Sequence, residues 1–249
     1  MTLELTPDII DITEQHHALI TAIVQIFETG TPHPDYGYIT TLPDGPRLTS
    51  GHNITQLTYG RLQTTEYSHL QELLLRYVEA NGSLAHRIEP FIDQCAKPGP
   101  QGKTLLAASI SFRQLLKAAG LDSTMRECQD ALFDQCYWQP AYQWFKTNGF
   151  TLPLSMLVIF DSFVHSGCIL SFLRKRFSEL TPVNGGKEKK WITQYLHTRH
   201  QWLTSNTRTC LQRTTYRTTM MLEQTSNNWQ LDQFPLLING VTIPAPPQH

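Results

Sequence analysis

Apolar positions recur at helical spacing near the start of the chain. Ile9, Ile10, Ile12, Leu19, Ile20, Ile23, Val24, Ile26 and Phe27 predict a helix over about 8–28, with Gly30 as its stop. From Tyr36 to about Thr65 the texture changes to Gly, Pro, Thr and aromatic residues. Here "YGYITTLPDG" and "ITQLTYGRLQTT" read as short strands joined by a turn-rich loop. Helical periodicity returns over Glu66–Ala80. It then predicts helices over about 84–96, 104–119, 123–137, 139–147, 153–173, 187–204 and 207–224. "KPGPQG" and "TPVNGG" are the clearest breaks, and the tail from Asn227 reads as extended. The expectation is a mainly α chain of the α+β kind with one small β-rich insert. Its single domain would have a small lobe over about 20–80, a helical lobe over about 81–225, a tail over 226–249, and a groove between the lobes.

Composition narrows the picture. With 40% hydrophobic and 10% aromatic content, the 249 residues can build a packed core. Lys+Arg 20 against Asp+Glu 21 gives a net charge of -1, so charge supplies no case for a nucleic-acid partner. No apolar run reaches a membrane span, and "PLSMLVIF" is short enough to read as a buried segment, so no membrane insertion is expected. The N-terminus shows no basic region followed by an apolar stretch and is read as lacking a signal peptide. The expectation is a chain made in the cytoplasm that acts in the periplasm or on the cell wall, after lysis or export by another route. Five cysteines without a CxxC pair point away from a disulfide framework or a zinc ribbon, toward reduced, mostly buried thiols.

Two carboxylates draw attention. Glu28 ends the first predicted helix, where the helix dipole disfavours a negative charge and burial beside Phe27 acts in the same direction. A glycosidase general acid needs that bias. Asp44 stands in "PDG", a turn that leaves a carboxylate solvated and ionised, as a general base requires. A helix end followed by a surface hairpin explains the same residues without chemistry.

The wider pattern separates these readings. "FETG", "YGY", "DG" and "LTYGRLQTTEY", in that order, resemble the N-terminal lobe of the family 46 chitosanases. They look closer still to peptidoglycan-cleaving relatives of that family, among them domains of phage lysins and secretion-system effectors. The likeness continues through "FDQCYWQPA", "VIFDSFVHSG", "TRHQWL", "YRTT" and "NWQLDQFPLLING", and so spans roughly residues 20–240. It implies a lysozyme-like fold with Glu28 as general acid and Asp44 as general base. A threonine, Thr58 or Thr49, would hold the attacking water. It also implies a buried Asp161 between Arg199 and Arg217 that holds the lobes in register. Arg61 and Gln63 would contact sugar or brace the Asp44 loop, and Tyr36 and Tyr59 are read as sugar-facing aromatics, with ordinary packing as the alternative. His165, four positions after Asp161, is read as its hydrogen-bond partner or as a cleft residue. The implied reaction is a single displacement with inversion, without metal or cofactor.

Other constellations carry less. "HTRH" places His197 and His200 at helical spacing but lacks the glutamate of HExxH. Ser166 has no G-x-S-x-G elbow, and nothing activates Cys168 beside His165. Arg174–Lys190 carries six basic and two acidic residues, a solvated face or a contact for an anionic polymer. Chitosan is cationic and would require repeated acidic contacts. The expected substrate is therefore peptidoglycan, with chitosan second and a non-catalytic glycan-binding module third. An effector role would add an immunity or delivery protein as partner.

Overall fold

The computed structural model describes residues 12–61, 63–96 and 106–245. The first residues of the first expected helix, the "KPGPQG" break and residues 246–249 lie outside the described residues. Among the described residues the chain forms two compact units, 12–33 with 137–245 and 34–136. This division corrects the lobe boundaries read from the pattern. The first helix belongs with the C-terminal elements, and the helices between residues 85 and 133 belong with the small sheet.

In the first unit, α1 (Glu14–Thr29) starts at Thr13, whose side chain accepts the His16 N–H, and stops at Gly30 with φ 76°. It buries Ile20, Ile23, Val24, Ile26 and Phe27. Its main neighbour in this unit is α7 (Pro153–Ser166), whose residues 153–163 are all buried. Pro153 supplies the first helical φ, and Glu188 caps the helix from outside by accepting the Thr151 and Leu152 N–H groups at 3.0 and 2.8 Å. The helix expected to run to 173 ends at Gly167, φ 77°, and a short α8 (Ser171–Arg174) follows. Two further helices, α9 (Glu188–Thr204) and α11 (Thr215–Gln224), pack on α7 and on each other, and α10 (Thr209–Gln212) lies between them in sequence. The tail is more than extended chain. Strands β4 (Leu236–Ile238) and β5 (Val241–Ile243) pair through Asn239 and Gly240, both at positive φ, which is the hairpin turn that an Asn-Gly pair favours.

The second unit builds a three-stranded antiparallel sheet from β1 (Ile39–Leu42), β2 (Gln56–Tyr59) and β3 (Thr64–Thr65). Thr40 pairs with Thr58 and Thr58 with Thr65, so Thr58 sits mid-sheet. Helices α2 (Leu70–Glu79), α3 (Ala85–Ala96), α4 (Ile110–Ala119) and α5 (Ser123–Phe133) surround a core of Leu57, Tyr59, Leu70, Leu74, Tyr77 and Leu116. The helix expected over 123–137 changes at Asp134 into a π-helical turn through Trp138, before α6 (Gln139–Thr147).

Candidate active site

Each candidate carboxylate is built by its own unit. Glu28 lies in the last turn of α1, where helix carbonyls lack intrahelical partners. The Phe27 carbonyl accepts the Tyr216 hydroxyl at 2.5 Å and Arg217 Nη2 at 3.0 Å. The same Nη2 reaches Glu28 Oε1 at 2.5 Å, with the Glu28 side chain 35% exposed. Sequence reasoning placed Glu28 at an uncompensated helix end. The structure corrects this, because a guanidinium faces both the helix terminus and the carboxylate.

Behind Arg217 the charges continue inward. Its Nη1 donates to Asp161 Oδ1 at 2.8 Å, and Arg199 Nη1 donates to Asp161 Oδ2 at 2.6 Å. Asp161 is fully buried on α7. Burial pushes its carboxyl up, but Arg199 and Arg217 outweigh that and hold it below the ordinary carboxylate value. For Arg217, burial works against the charge, yet Asp161 and Glu28 raise its pKa above the ordinary guanidinium value. Asp161, Arg199, Arg217 and Glu28 all belong to the first unit. The network ties α1, α7, α9 and α11 together, which corrects the expectation of a clamp joining two lobes.

His165 meets Arg199. Its Nδ1 accepts from Arg199 Nη2 at 3.2 Å, so the direct Asp161 bond expected one helical turn away is replaced by a contact through the arginine. Burial, then the Arg199 and Arg217 charges, push its pKa down to about 4. Of the other histidines, His200 shares a 2.8 Å hydrogen bond with Thr218, and His197 is exposed. The thiols depart from the buried expectation, because Cys168 and Cys210 are exposed.

In the second unit Asp44 is exposed and accepts one hydrogen bond, from Gln56 Nε2 at 3.0 Å. It precedes a small hairpin in which Gly45 N–H donates to the Ile54 carbonyl and Ile54 N–H to the Pro46 carbonyl, both at 3.0 Å. A Cβ on Gly45 would stand 2.7 Å from the Ile54 oxygen, so the residue after Asp44 has to be glycine. Thr49 is exposed on this hairpin, whereas Thr58 is only 7% exposed within β2. The water-holding expectation for Thr58 is corrected on that ground, and Thr49 is the threonine open to solvent beside Asp44 in sequence.

Tyr59 is also corrected as a sugar-facing aromatic. It is 0% exposed and its hydroxyl donates to the Leu116 carbonyl at 2.8 Å. Tyr36 is half-buried. Burial, reinforced by the hydrogen bond it donates to Asp130 at 2.9 Å, leaves its pKa pushed up to about 12. Arg61 donates to Asp130 at 2.5 Å and lies over the Phe133 ring, so it braces the sheet end on α5. Gln63 is exposed with φ 49°.

Three partners escaped sequence reasoning: Gln56 on Asp44, Asp130 on Tyr36 and Arg61, and Gln129. Fully buried, Gln129 accepts the Arg61 N–H and donates to the Tyr36 carbonyl at 2.8 and 2.9 Å. Gly60 lies against it, where a Cβ would come within 2.2 Å of the amide oxygen. The one available signal was Gln129 and Asp130 on a predicted helix beside apolar positions, which marks buried polar groups without naming their partners.

The mainly helical chain with its small antiparallel sheets has the lysozyme-like fold of glycoside hydrolases, as superposition on solved structures shows. A chitosanase of Gynuella sunshinyii in complex with chitotetraose superposes with a TM-score of 0.73 at 22% identity, covering 95% of this chain and 99% of that one. The native chitosanase of Bacillus subtilis MY002 gives 0.72 at 22% identity, covering 93% and 99%. Residues 22–236 match Glycosyl hydrolase family 46, and the chain belongs to that family. In sequence it is 23% identical over 188 residues to the chitosanase of Bacillus subtilis strain 168; the match spans 72% of this chain and 64% of that protein.

Proposed function

We propose that the protein is an endo-acting glycosidase that hydrolyses β-1,4 bonds of an amino-sugar polysaccharide. The observation that carries this reading is the Glu28 carboxylate, aimed by a buried Arg217–Asp161–Arg199 chain in a member of family 46. In this reading Glu28 protonates the leaving oxygen. Asp44 deprotonates a water held by Thr49, and the anomeric configuration inverts. Arg217 orients the Glu28 carboxyl, so the acid enters the reaction with its direction already set.

Chitosan is the first substrate class, supported by the likeness to chitosanases in both sequence and fold. This reverses the order expected from charge. Three of the six cations in the basic stretch make contacts within the fold: Arg174 donates to the Phe177 and Glu179 carbonyls, Lys190 pairs with Glu179, and Lys189 lies over Trp229. Peptidoglycan remains the second reading because Lys175 and Arg176 stay exposed. Proton NMR on fresh digests tests the mechanism. Products of inverted configuration are expected, and retained configuration would overturn the assignment of Asp44 as a base.

A further inference from the structure

Lys175 and Arg176 of that basic stretch, both exposed, line an open depression of about 650 Å³ in the first unit, with Ser178, Gln194, His197 and Thr198. Gln194, His197 and Thr198 share one face of α9, separate from the face that buries Tyr195 and Arg199 beside Asp161. Among the described residues no carboxylate lines the depression. The nearest acid in the loop, Glu179, is taken by Lys190 Nζ at 2.5 Å and by the Lys187 N–H at 2.8 Å.

The loop is also held in shape. Arg174 donates to the carbonyls of Phe177 and Glu179 at 2.9 and 2.8 Å and stacks over Phe177. The Glu179 N–H donates to Gln194 Oε1 at 3.2 Å, which leaves the amide nitrogen of Gln194 as a donor. Beside the depression the Arg176 guanidinium lies 5.5 Å over the Phe172 ring. That ring is 42% exposed and packs edge-on against Trp202. Two cations and further donors next to an exposed aromatic ring suit a sugar that bears a negative group.

We infer that this depression is a second carbohydrate site, one that takes the carboxylate or phosphate of an anionic glycan polymer. The inference goes beyond the glycosidase reading and depends on none of its residues. Lys175 and Arg176 would hold the anion, the Gln194 amide and Ser178 hydroxyl its remaining oxygens, and Phe172 the adjoining sugar face.

Binding to immobilised polygalacturonate, poly(glycerol phosphate) and neutral dextran tests it with the full chain. The protein is expected to bind one or both anionic polymers and not dextran, and to release them as salt rises. The polymer bound more tightly distinguishes carboxylate from phosphate as the source. Lys175→Glu with Arg176→Glu is expected to weaken binding about tenfold or more at unchanged melting temperature. Lys117→Glu, a charge reversal half as large in the other unit, is expected to leave it intact. Failure to bind either anionic polymer would overturn the site. So would binding that survives the double reversal, or an equal loss with Lys117→Glu. Cleavage assays play no part, so this outcome is separate from that of the glycosidase reading.

Discussion

Glu28 and Asp44 are held in opposite ways. Glu28 stands at the outer end of a run of four charges, three of them buried, with every link between 2.5 and 2.8 Å. Asp44 stands exposed just before a small hairpin, with a single amide for company. The contrast matches the two proposed tasks. An acid that must deliver a proton to one oxygen gains from a fixed direction, whereas a base that works through a mobile water needs solvent and an ionised carboxylate. It also separates two costs of substitution, because one carboxylate is tied to a buried charge network and the other is not.

The largest effect is expected inside the network. Asp161→Ala leaves two buried guanidinium groups without their shared counter-charge. It should destabilise the protein by about 3–5 kcal/mol in urea unfolding. A loss no larger than that of Asp44→Asn would remove the distinction between the two sites.

His165 sharpens the comparison through pH. Its pKa is lowered from 6.5 to about 4 in the folded protein, so unfolding takes up a proton between those values. Stability therefore falls as pH drops through that window, by at most about 1.4 kcal/mol per pH unit. His165→Gln should flatten this slope, leaving the acid loss from Asp161. Asp161 has a depressed pKa, so its contribution is present above the ordinary carboxylate value and is lost only as pH falls through the folded one. An unchanged slope between pH 6.5 and 4 would show that His165 titrates alike in both states.

The smallest effect on stability is expected at Asp44. Asp44→Asn should change unfolding free energy by no more than about 0.5 kcal/mol. In the same variant hydrolysis should fall by about 10²-fold or more. If stability and hydrolysis stay together, Asp44 is a hairpin residue and no base.

Much of this was legible because it is local. The apolar period marked α1 and α7, and glycines at 30 and 167 end helices in the left-handed conformation. Only the first of those stops was read correctly. Gly167 was passed over because the apolar residues beyond it continue the helical rhythm. The Asn-Gly turn of the tail hairpin was equally available in "LLINGVTI" and went unread. An aspartate in "VIFDSF" demanded cationic partners, and the structure brings Arg199 and Arg217 to it.

What could not be read is long-range. Arg217 reaches Glu28 from 189 positions away, and no periodicity encodes that pairing. Tyr59 sits on a β-strand whose two faces look alike in sequence, and only packing against α4 and α5 buries it. The basic stretch looked like one charged face. Its loop folds back so that Arg174 serves backbone carbonyls and Glu188 caps another helix.

Release of new reducing ends from chitosan and from peptidoglycan, by wild type and by Glu28→Gln, tests the central claim most directly. Wild type is expected to cut at least one polymer. Glu28→Gln, with an unchanged circular dichroism spectrum, is expected to lose about 10²- to 10⁴-fold of that rate. Equal rates for the two proteins would contradict a catalytic role for Glu28, and no release from either polymer by folded wild type would contradict the glycosidase assignment itself.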